Sequence, residues 1–287
     1  MALFSRLRTG FAFATRSVRV LRDHPRLAVL PAIGGLAGLV YVAALWGVVL
    51  VTDPTPSQPV LLLASFCVYA GSTFVASTFT AALMFCARQA FRGDELRLGD
   101  GLRAAGRNLG PLLAWSVISA VVGLVVRAIG ANDSLPAEIL AAVFSVGWAV
   151  LTYFVVPVIV FEVAGVVGTL SRSKDVVAGT WGESLGAAGA VDLVTFALAA
   201  VGAVPGAALL FVFHVGAPGV ALLVVGVLLA GLVGKTLTGI AKTALYVYAT
   251  EDDAPAYFDG IDFGDGDDGS GGSGGLRGRL PGSGGVV

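Results

Sequence analysis

Charged residues are scarce in this chain. Asp, Glu, Lys and Arg together make up 13% of its 287 residues, whereas 56% are hydrophobic. A soluble globular domain usually contains about 25% charged residues. The deficit excludes an ordinary water-soluble domain and indicates a protein whose main solvent is lipid.

Residues 193–234 contain no charged side chain at all. As one α-helix this segment would be about 63 Å long, which is roughly twice the hydrocarbon thickness of a bilayer. Its one strong break is the sequence His214-Val-Gly-Ala-Pro-Gly219, near the middle. The segment therefore predicts two transmembrane helices joined by a very short turn.

The same reasoning predicts four further spans, and hence an all-α polytopic membrane protein with six transmembrane helices. The connection after the first span contains three prolines, which prevent it from continuing a helix. The first apolar run is too long for a signal-peptide core, so we expect it to remain as a signal anchor. The predicted spans lie near residues 28–51, 60–87, 109–130, 137–161, 188–212 and 218–243.

Basic residues alternate with the predicted crossings. Six Arg precede the first span, five lie in the second connection, and Arg172 and Lys174 lie in the fourth. Connections one and five have no basic residue, and the third has at most Arg127. Because cytoplasmic connections carry the excess of Lys and Arg, we expect a cell-membrane protein with both termini in the cytoplasm.

Each predicted hairpin of spans follows a short amphipathic stretch, and this order predicts three repeats at 1–87, 88–161 and 162–250. The first stretch, 1–27, is a basic amphipathic segment typical of an interfacial helix, with Leu3, Leu7, Phe11, Val18 and Leu21 near one face. Its expected partners, and those of the other basic cytoplasmic segments, are anionic lipid headgroups. No nucleic-acid partner is expected, and protein partners stay open.

The chain changes character after the six-span domain, 28–250. Eight acidic residues occur within 251–268, interspersed with Gly, and the rest is mostly Gly, Ser and charge. Such a composition cannot bury a core. We therefore expect 251–287 to be an acidic, Gly-rich, disordered cytoplasmic tail.

Ionisable residues within spans are the first place to look for a site. Glu162, Asp192 and Lys235 lie at similar predicted depth, on the cytoplasmic third of the membrane, and form a candidate intramembrane charge cluster. One interpretation is an ion or proton relay. The other, which we favour, is a structural charge pair that fixes helix register, with Lys242 reaching the interface by itself.

Enzyme signatures are absent from the sequence. The only histidines are His24 and His214, predicted on opposite sides of the membrane, and the two cysteines lie too far apart along one helix to pair. Neither a Gly-x-Ser-x-Gly elbow nor a phosphate-binding loop occurs. We expect no enzymatic activity, no catalytic residue, no metal and no cofactor.

Four stretches carry a resemblance to a known family: Trp115–Gly123, Phe154–Glu162, Ser173–Glu183 and Ala244–Thr250, the last followed by Phe258-Asp259. They resemble a family of uncharacterised six-helix integral membrane proteins of archaea and bacteria, filed as a domain of unknown function. The resemblance extends to about Phe263. It implies the fold and brings no activity, substrate or site residue.

Two hypotheses about function come before a third, a membrane-embedded enzyme, for which no nucleophile, base or metal set appears in the sequence. The first is a non-enzymatic membrane protein that organises lipid or membrane partners through its cytoplasmic interfacial helices. The second is a small transporter or permease that uses the kinked spans, which contain Pro157 and Pro205, and the charge cluster. A cavity that reaches the cluster would favour transport, and a packed bundle would favour the first hypothesis.

Overall fold

The computed structural model describes residues 2–53, 55–131, 134–162, 166–179, 181–250 and 256–258. Within these residues the chain is all α-helical, without a β-strand, as the sequence predicts. Two short 3₁₀ helices, Pro25–Ala28 and Ala256–Phe258, accompany the α-helices. The α-helices are α1 (Ala2–Asp23), α2 (Val29–Thr52), α3 (Gln58–Arg92), α4 (Leu98–Arg107), α5 (Leu109–Gly130), α6 (Leu135–Leu151), α7 (Val155–Phe161), α8 (Val166–Gly179), α9 (Trp181–Phe211) and α10 (Gly216–Thr250).

Six segments of the described chain are long and apolar enough to cross a membrane, which confirms the predicted number of spans. Their residues are Pro25–Thr52, Gln58–Arg92, Leu109–Gly130, Leu135–Phe161, Gly189–Phe211 and Gly216–Thr250. The second and sixth are 35 residues long, or about 52 Å as helices. Since the hydrocarbon layer is about 30 Å thick, these two helices extend well beyond it.

The fourth span differs from its prediction as one helix over 137–161. The helix is interrupted at residues 152–154, between α6 and α7. Pro157 explains the position, because its ring has no N–H and clashes with the carbonyl group four residues earlier, at Tyr153. The sequence contained the cause of this break, but the hydropathy pattern runs through it without interruption.

The buried core of the molecule lies at one end of the bundle and not at mid-membrane. It joins the last turns of α3, from Ala81 to Phe91, to the last turns of α10, from Ile240 to Tyr246. Side chains of α1, α2, α4, α5, α7, α8 and the two 3₁₀ helices also contribute to it. Counting about 20 residues for the hydrocarbon layer from Gln58 and Gly216, both segments lie beyond that layer. We call this region the juxtamembrane core.

The element order supports the predicted threefold pattern. A short helix precedes each pair of spans: α1 before α2 and α3, α4 before α5 and α6–α7, and α8 before α9 and α10. Each short helix packs on a span, α1 on α9, α4 on α3, and α8 on α6 and α7. Gly101 permits the close approach of α4, since a Cβ atom there would lie 2.6 Å from the carbonyl oxygen of Ala82.

The N-terminal segment forms the predicted helix, α1, but much of its described apolar surface contacts protein. Phe13, Ala14 and Val20 are fully buried or nearly so, in clusters shared with α9, α10 and Phe258. Val18 is exposed and Leu21 is partly buried, while the side chains of Leu3, Leu7 and Phe11 lie outside the described part. The helix is therefore held by the bundle along its second half.

The predicted disordered tail, 251–287, lies outside the described residues except for 256–258. These three residues form a 3₁₀ helix, and Phe258 is fully buried in the juxtamembrane core. Packing therefore continues beyond residue 250, where the sequence placed the end of the membrane domain.

Candidate functional site

The break in the fourth span is closed by a hydroxyl group from α8. Ser173, fully buried, donates a hydrogen bond to the carbonyl oxygen of Leu151 at 2.8 Å and accepts one from the N–H of Phe154 at 3.2 Å. Phe154 itself is fully buried. Irregular backbone at membrane depth requires such partners, because lipid offers none. Two backbone groups at the interruption are thus satisfied within the protein.

Glu162, the first predicted cluster residue, lies just after α7 and has two partners. The Nε atom of Arg172 lies 2.9 Å from one of its carboxylate oxygens and 3.1 Å from the other. The hydroxyl group of Tyr246 donates to the first oxygen at 2.5 Å. Next to this group, the guanidinium of Arg88 lies 4.7 Å from the ring centroid of Phe161. The carboxylate therefore connects α8 to α10.

Asp192 and Lys235, the other two predicted residues, are exposed on α9 and α10. Among the described residues, neither takes part in an ion pair within 4.0 Å, and the partners of Glu162 are different residues. Both lie near enough to Lys242 to act on it electrostatically. The structure thus separates Glu162 from a second group formed by Asp192, Lys235 and Lys242. A shared function for the three predicted residues stays a prediction.

Lys242 is half-buried and contacts an aromatic ring, a contact that the sequence did not indicate. Its ammonium nitrogen lies 4.0 Å from the ring centroid of Tyr153, at the break of the fourth span. A cation at this distance over an aromatic face is attracted by the ring quadrupole. Lys242 therefore contacts the break of the fourth span through the ring of Tyr153.

Basic side chains form a second candidate site, at the end of the bundle that contains the juxtamembrane core. Two of them are in exposed ion pairs, Arg97 with Glu95 at 2.7 Å and Arg103 with Asp100 at 2.8 Å. The hydrogen bond and charge of Glu95 raise the pKa of Arg97. We give the name basic surface to four exposed side chains on α1, on the 3₁₀ helix after it and at the end of α3: Arg19, Arg22, Arg26 and Arg92.

The C-terminal 3₁₀ helix lies beside the basic surface and is fixed there by several contacts. Phe258 packs between the rings of Phe13 and Phe91, with centroids 5.1 and 5.5 Å away. Arg16 donates to the carbonyl oxygen of Tyr257 at 2.9 Å. The Tyr257 hydroxyl lies 3.4 Å from Nε2 of His24. We call residues 256–258, with these contacts, the C-terminal anchor.

Sequence reasoning missed this anchor because it assigned the whole of 251–287 by composition. A local signal was present, since Tyr257 and Phe258 are adjacent aromatic residues between acidic groups. Burial and a nearby carboxylate, that of Asp23, raise the pKa of Tyr257 above its ordinary value. The phenol therefore stays neutral and able to donate over a wider pH range.

Two cavities illustrate where open space lies. One, of about 350 Å³, opens at the C-terminal anchor between His24, Arg92, Asp94 and Tyr257. The other, of about 10 Å³, lies between α5, α7 and α8. Neither is lined by Glu162, Asp192 or Lys235. The larger space is thus at the basic end of the protein.

Comparison with known proteins adds one finding. No curated protein and no solved structure matches the chain. A family of unknown function (DUF6159) matches residues 59–256, so the match covers five of the six spans and stops short of Phe263. It begins after α1 and α2. On this match, which extends over more than half of its length, the chain belongs to the family of unknown function DUF6159.

Proposed function

We propose that this multi-pass membrane protein is a non-enzymatic organiser of lipid, which gathers anionic headgroups at its basic end. The observation that carries the proposal is the concentration of exposed arginines beside the juxtamembrane core, with Arg19, Arg22 and Arg26 following one another on α1 and its 3₁₀ extension. Basic side chains next to a cytoplasmic leaflet gain about 1 kcal/mol each from anionic lipid.

The same proposal includes orientation and location. The basic end faces the cytoplasm of a cell membrane, and both termini are there, because the alternation of basic connections follows the positive-inside pattern. In this orientation Arg26 lies at the cytoplasmic end of the first candidate span, which begins at Pro25.

The test is the retention of lipid by the full-length protein. Protein purified in a neutral detergent is mixed with defined anionic or zwitterionic phospholipids, and bound lipid is counted by native mass spectrometry. We expect anionic lipid to be retained preferentially, and Arg19→Gln, Arg22→Gln and Arg26→Gln together to abolish the preference. The matched control is Arg127→Gln, which removes an exposed arginine near the opposite end. Equal retention of both lipid types would refute the proposal.

Transport is the alternative, and the interrupted fourth span is the observation that favours it. Broken helices often form the substrate sites of transporters. Here the break is occupied by Ser173 and by the buried ring of Phe154, and for this reason the lipid proposal comes first. Solute counterflow in proteoliposomes that depends on Lys242 would reverse the order.

A further inference from the structure

The position at which the acidic tail leaves the bundle is set by the C-terminal anchor. Phe258 is fully buried between Phe13 of α1 and Phe91 of α3, and Arg16 binds the backbone of the residue before it. The next residues of the chain, 259–268, contain five Asp and no basic residue. The acidic run therefore begins beside the basic surface.

The basic surface is carried by the same elements that contact this point, α1, the 3₁₀ helix after it and the end of α3. Arg19 and Arg22 lie one and two turns beyond Arg16 on α1, and Arg26 lies in the 3₁₀ helix that follows. Arg92 shares the cavity of about 350 Å³ with Tyr257. All four of these arginines are exposed. Four exposed cations thus lie on the elements that hold the start of the acidic run, together with the carboxylates of Asp23 and Asp94 beside Tyr257.

The length of the acidic run is sufficient to reach them. Ten residues extend at most about 33–36 Å, whereas two helical turns along α1 cover only about 11 Å. A ligand tethered by a short flexible linker has an effective concentration in the millimolar range. An acidic run tethered at Phe258 would therefore be an effective competitor of anionic lipid for these arginines.

We propose that the acidic segment 259–268 is an intramolecular ligand of the basic surface and competes there with anionic lipid headgroups. The anchor holds the segment in place, and the arginines bind either its carboxylates or lipid phosphates. The competition rests on the proposed lipid function, whereas the docking of the segment does not. Because the contact is electrostatic and exposed, it weakens as salt rises.

The docking is tested by zero-length crosslinking of the full-length protein. Arg22→Lys keeps the positive charge and supplies an amine, which a carbodiimide couples to a nearby carboxylate with loss of water. We expect peptide mass spectrometry to find residue 22 joined to an Asp within 259–268, with a yield that falls at high salt. Arg127→Lys, at the opposite end, is the matched control and should give no such product.

The competition is tested by lipid retention in a full-length variant in which Asp259, Asp262, Asp265, Asp267 and Asp268 are all replaced by Asn. The anchor is unchanged in this variant. We expect its affinity for anionic lipid in detergent to rise at least about threefold at low salt, and its affinity for zwitterionic lipid to stay the same.

The two measurements separate the inference from the proposed function. A missing crosslink at residue 22, or an unchanged affinity in a protein that does retain anionic lipid, overturns the inference and leaves the proposed function standing. If the crosslink forms but neither the wild type nor the Asn variant retains anionic lipid, the proposed function and the competition are both refuted. Only the docking of the segment then stands.

Discussion

The hydroxyl group of Ser173 on α8 donates a 2.8 Å hydrogen bond to the carbonyl oxygen of Leu151, the last residue of α6. With the second bond, from the N–H of Phe154, one side chain binds two backbone groups that flank the break. A short amphipathic helix is thereby fixed to the span before it. Ser173 is therefore a structural requirement of the discontinuous fourth span.

Ser173→Ala should destabilise the protein by about 1–3 kcal/mol, the usual cost of a buried polar group left without its partner. The change leaves the Leu151 carbonyl and the Phe154 N–H unsatisfied. The measurement is thermal unfolding in detergent, followed by circular dichroism. Ser171→Ala, an exposed position on the same helix, is the control and should have little effect. Equal stability of the two variants would show that the bridge is unimportant.

The hairpin of α9 and α10 depends on close backbone contact between glycines. A Cβ atom at Gly226 would collide with the backbone of Gly202, and one at Gly202 would lie 2.9 Å from the carbonyl oxygen of Gly226. Small residues at such positions permit van der Waals packing of helices in lipid. The residues around this contact are otherwise largely exposed to lipid.

Gly226→Leu should separate the two helices and lower stability by about 1–3 kcal/mol, as overpacking usually does. Gly231→Leu is the matched control on the same helix, because nothing lies within 4 Å of a Cβ atom there. Thermal unfolding of the two variants in detergent makes the comparison. If Gly231→Leu proved as harmful as Gly226→Leu, the close contact would not be the cause.

The sequence predicted the number of membrane spans because hydropathy depends on local composition. Six spans and the amphipathic helices before them follow from apolar runs, prolines and arginines. The partners of Glu162 did not follow, since Arg172 and Tyr246 are distant from it in the chain or lie on another helix. The predicted depth puts several charged residues at one level in the membrane, but the packing of the helices decides which of them come into contact.

The C-terminal anchor should loosen in alkali. Burial, the charge of Asp23 and its hydrogen bond raise the pKa of Tyr257 above its ordinary value of about 10. His24, Arg16, Arg92 and Asp94 are the other titratable groups beside it. The stabilisation from the neutral phenol is therefore present below pH 10 and is lost as the pH rises through the raised value.

The direction of this pH dependence is checked by comparing the unfolding free energies of the wild type and Tyr257→Phe. The wild type should be the more stable below about pH 9, and the difference should shrink at higher pH as the phenol ionises. Tyr69→Phe, in the second span, serves as a control for a general loss of tyrosine. A difference that grows with pH would contradict the expected contact with Asp23.

The orientation of the protein can be tested with single cysteines, after Cys67→Ala and Cys86→Ala remove the native thiols. Ser57→Cys lies in the first connection and Gly99→Cys at the start of α4, and both positions are exposed. With both termini in the cytoplasm, a membrane-impermeant maleimide should label residue 57 in sealed cells and spare residue 99. As a control, the maleimide should label residue 99 after the membrane is permeabilised. The reverse pattern would invert the topology and place the basic surface outside.

The separation of the predicted charge cluster into two groups predicts different energetic couplings. Glu162 and Arg172 are hydrogen-bonded, so Glu162→Gln and Arg172→Met should show a coupling of about 0.5–3 kcal/mol in a double-mutant cycle. Asp192 and Lys235 are exposed and not within ion-pair distance. For Asp192→Asn and Lys235→Met we expect additive effects, within about 0.5 kcal/mol.

Both cycles are measured by chemical unfolding of the full-length protein in the same detergent, so each serves as the control for the other. Tyr246→Phe, which removes the second partner of Glu162, should couple to Glu162→Gln but not to Lys235→Met. This result would assign Glu162 to a structural link between α8 and α10. Strong coupling between Asp192 and Lys235, with none between Glu162 and Arg172, would contradict the observed pairing and restore the relay as the better interpretation of the cluster.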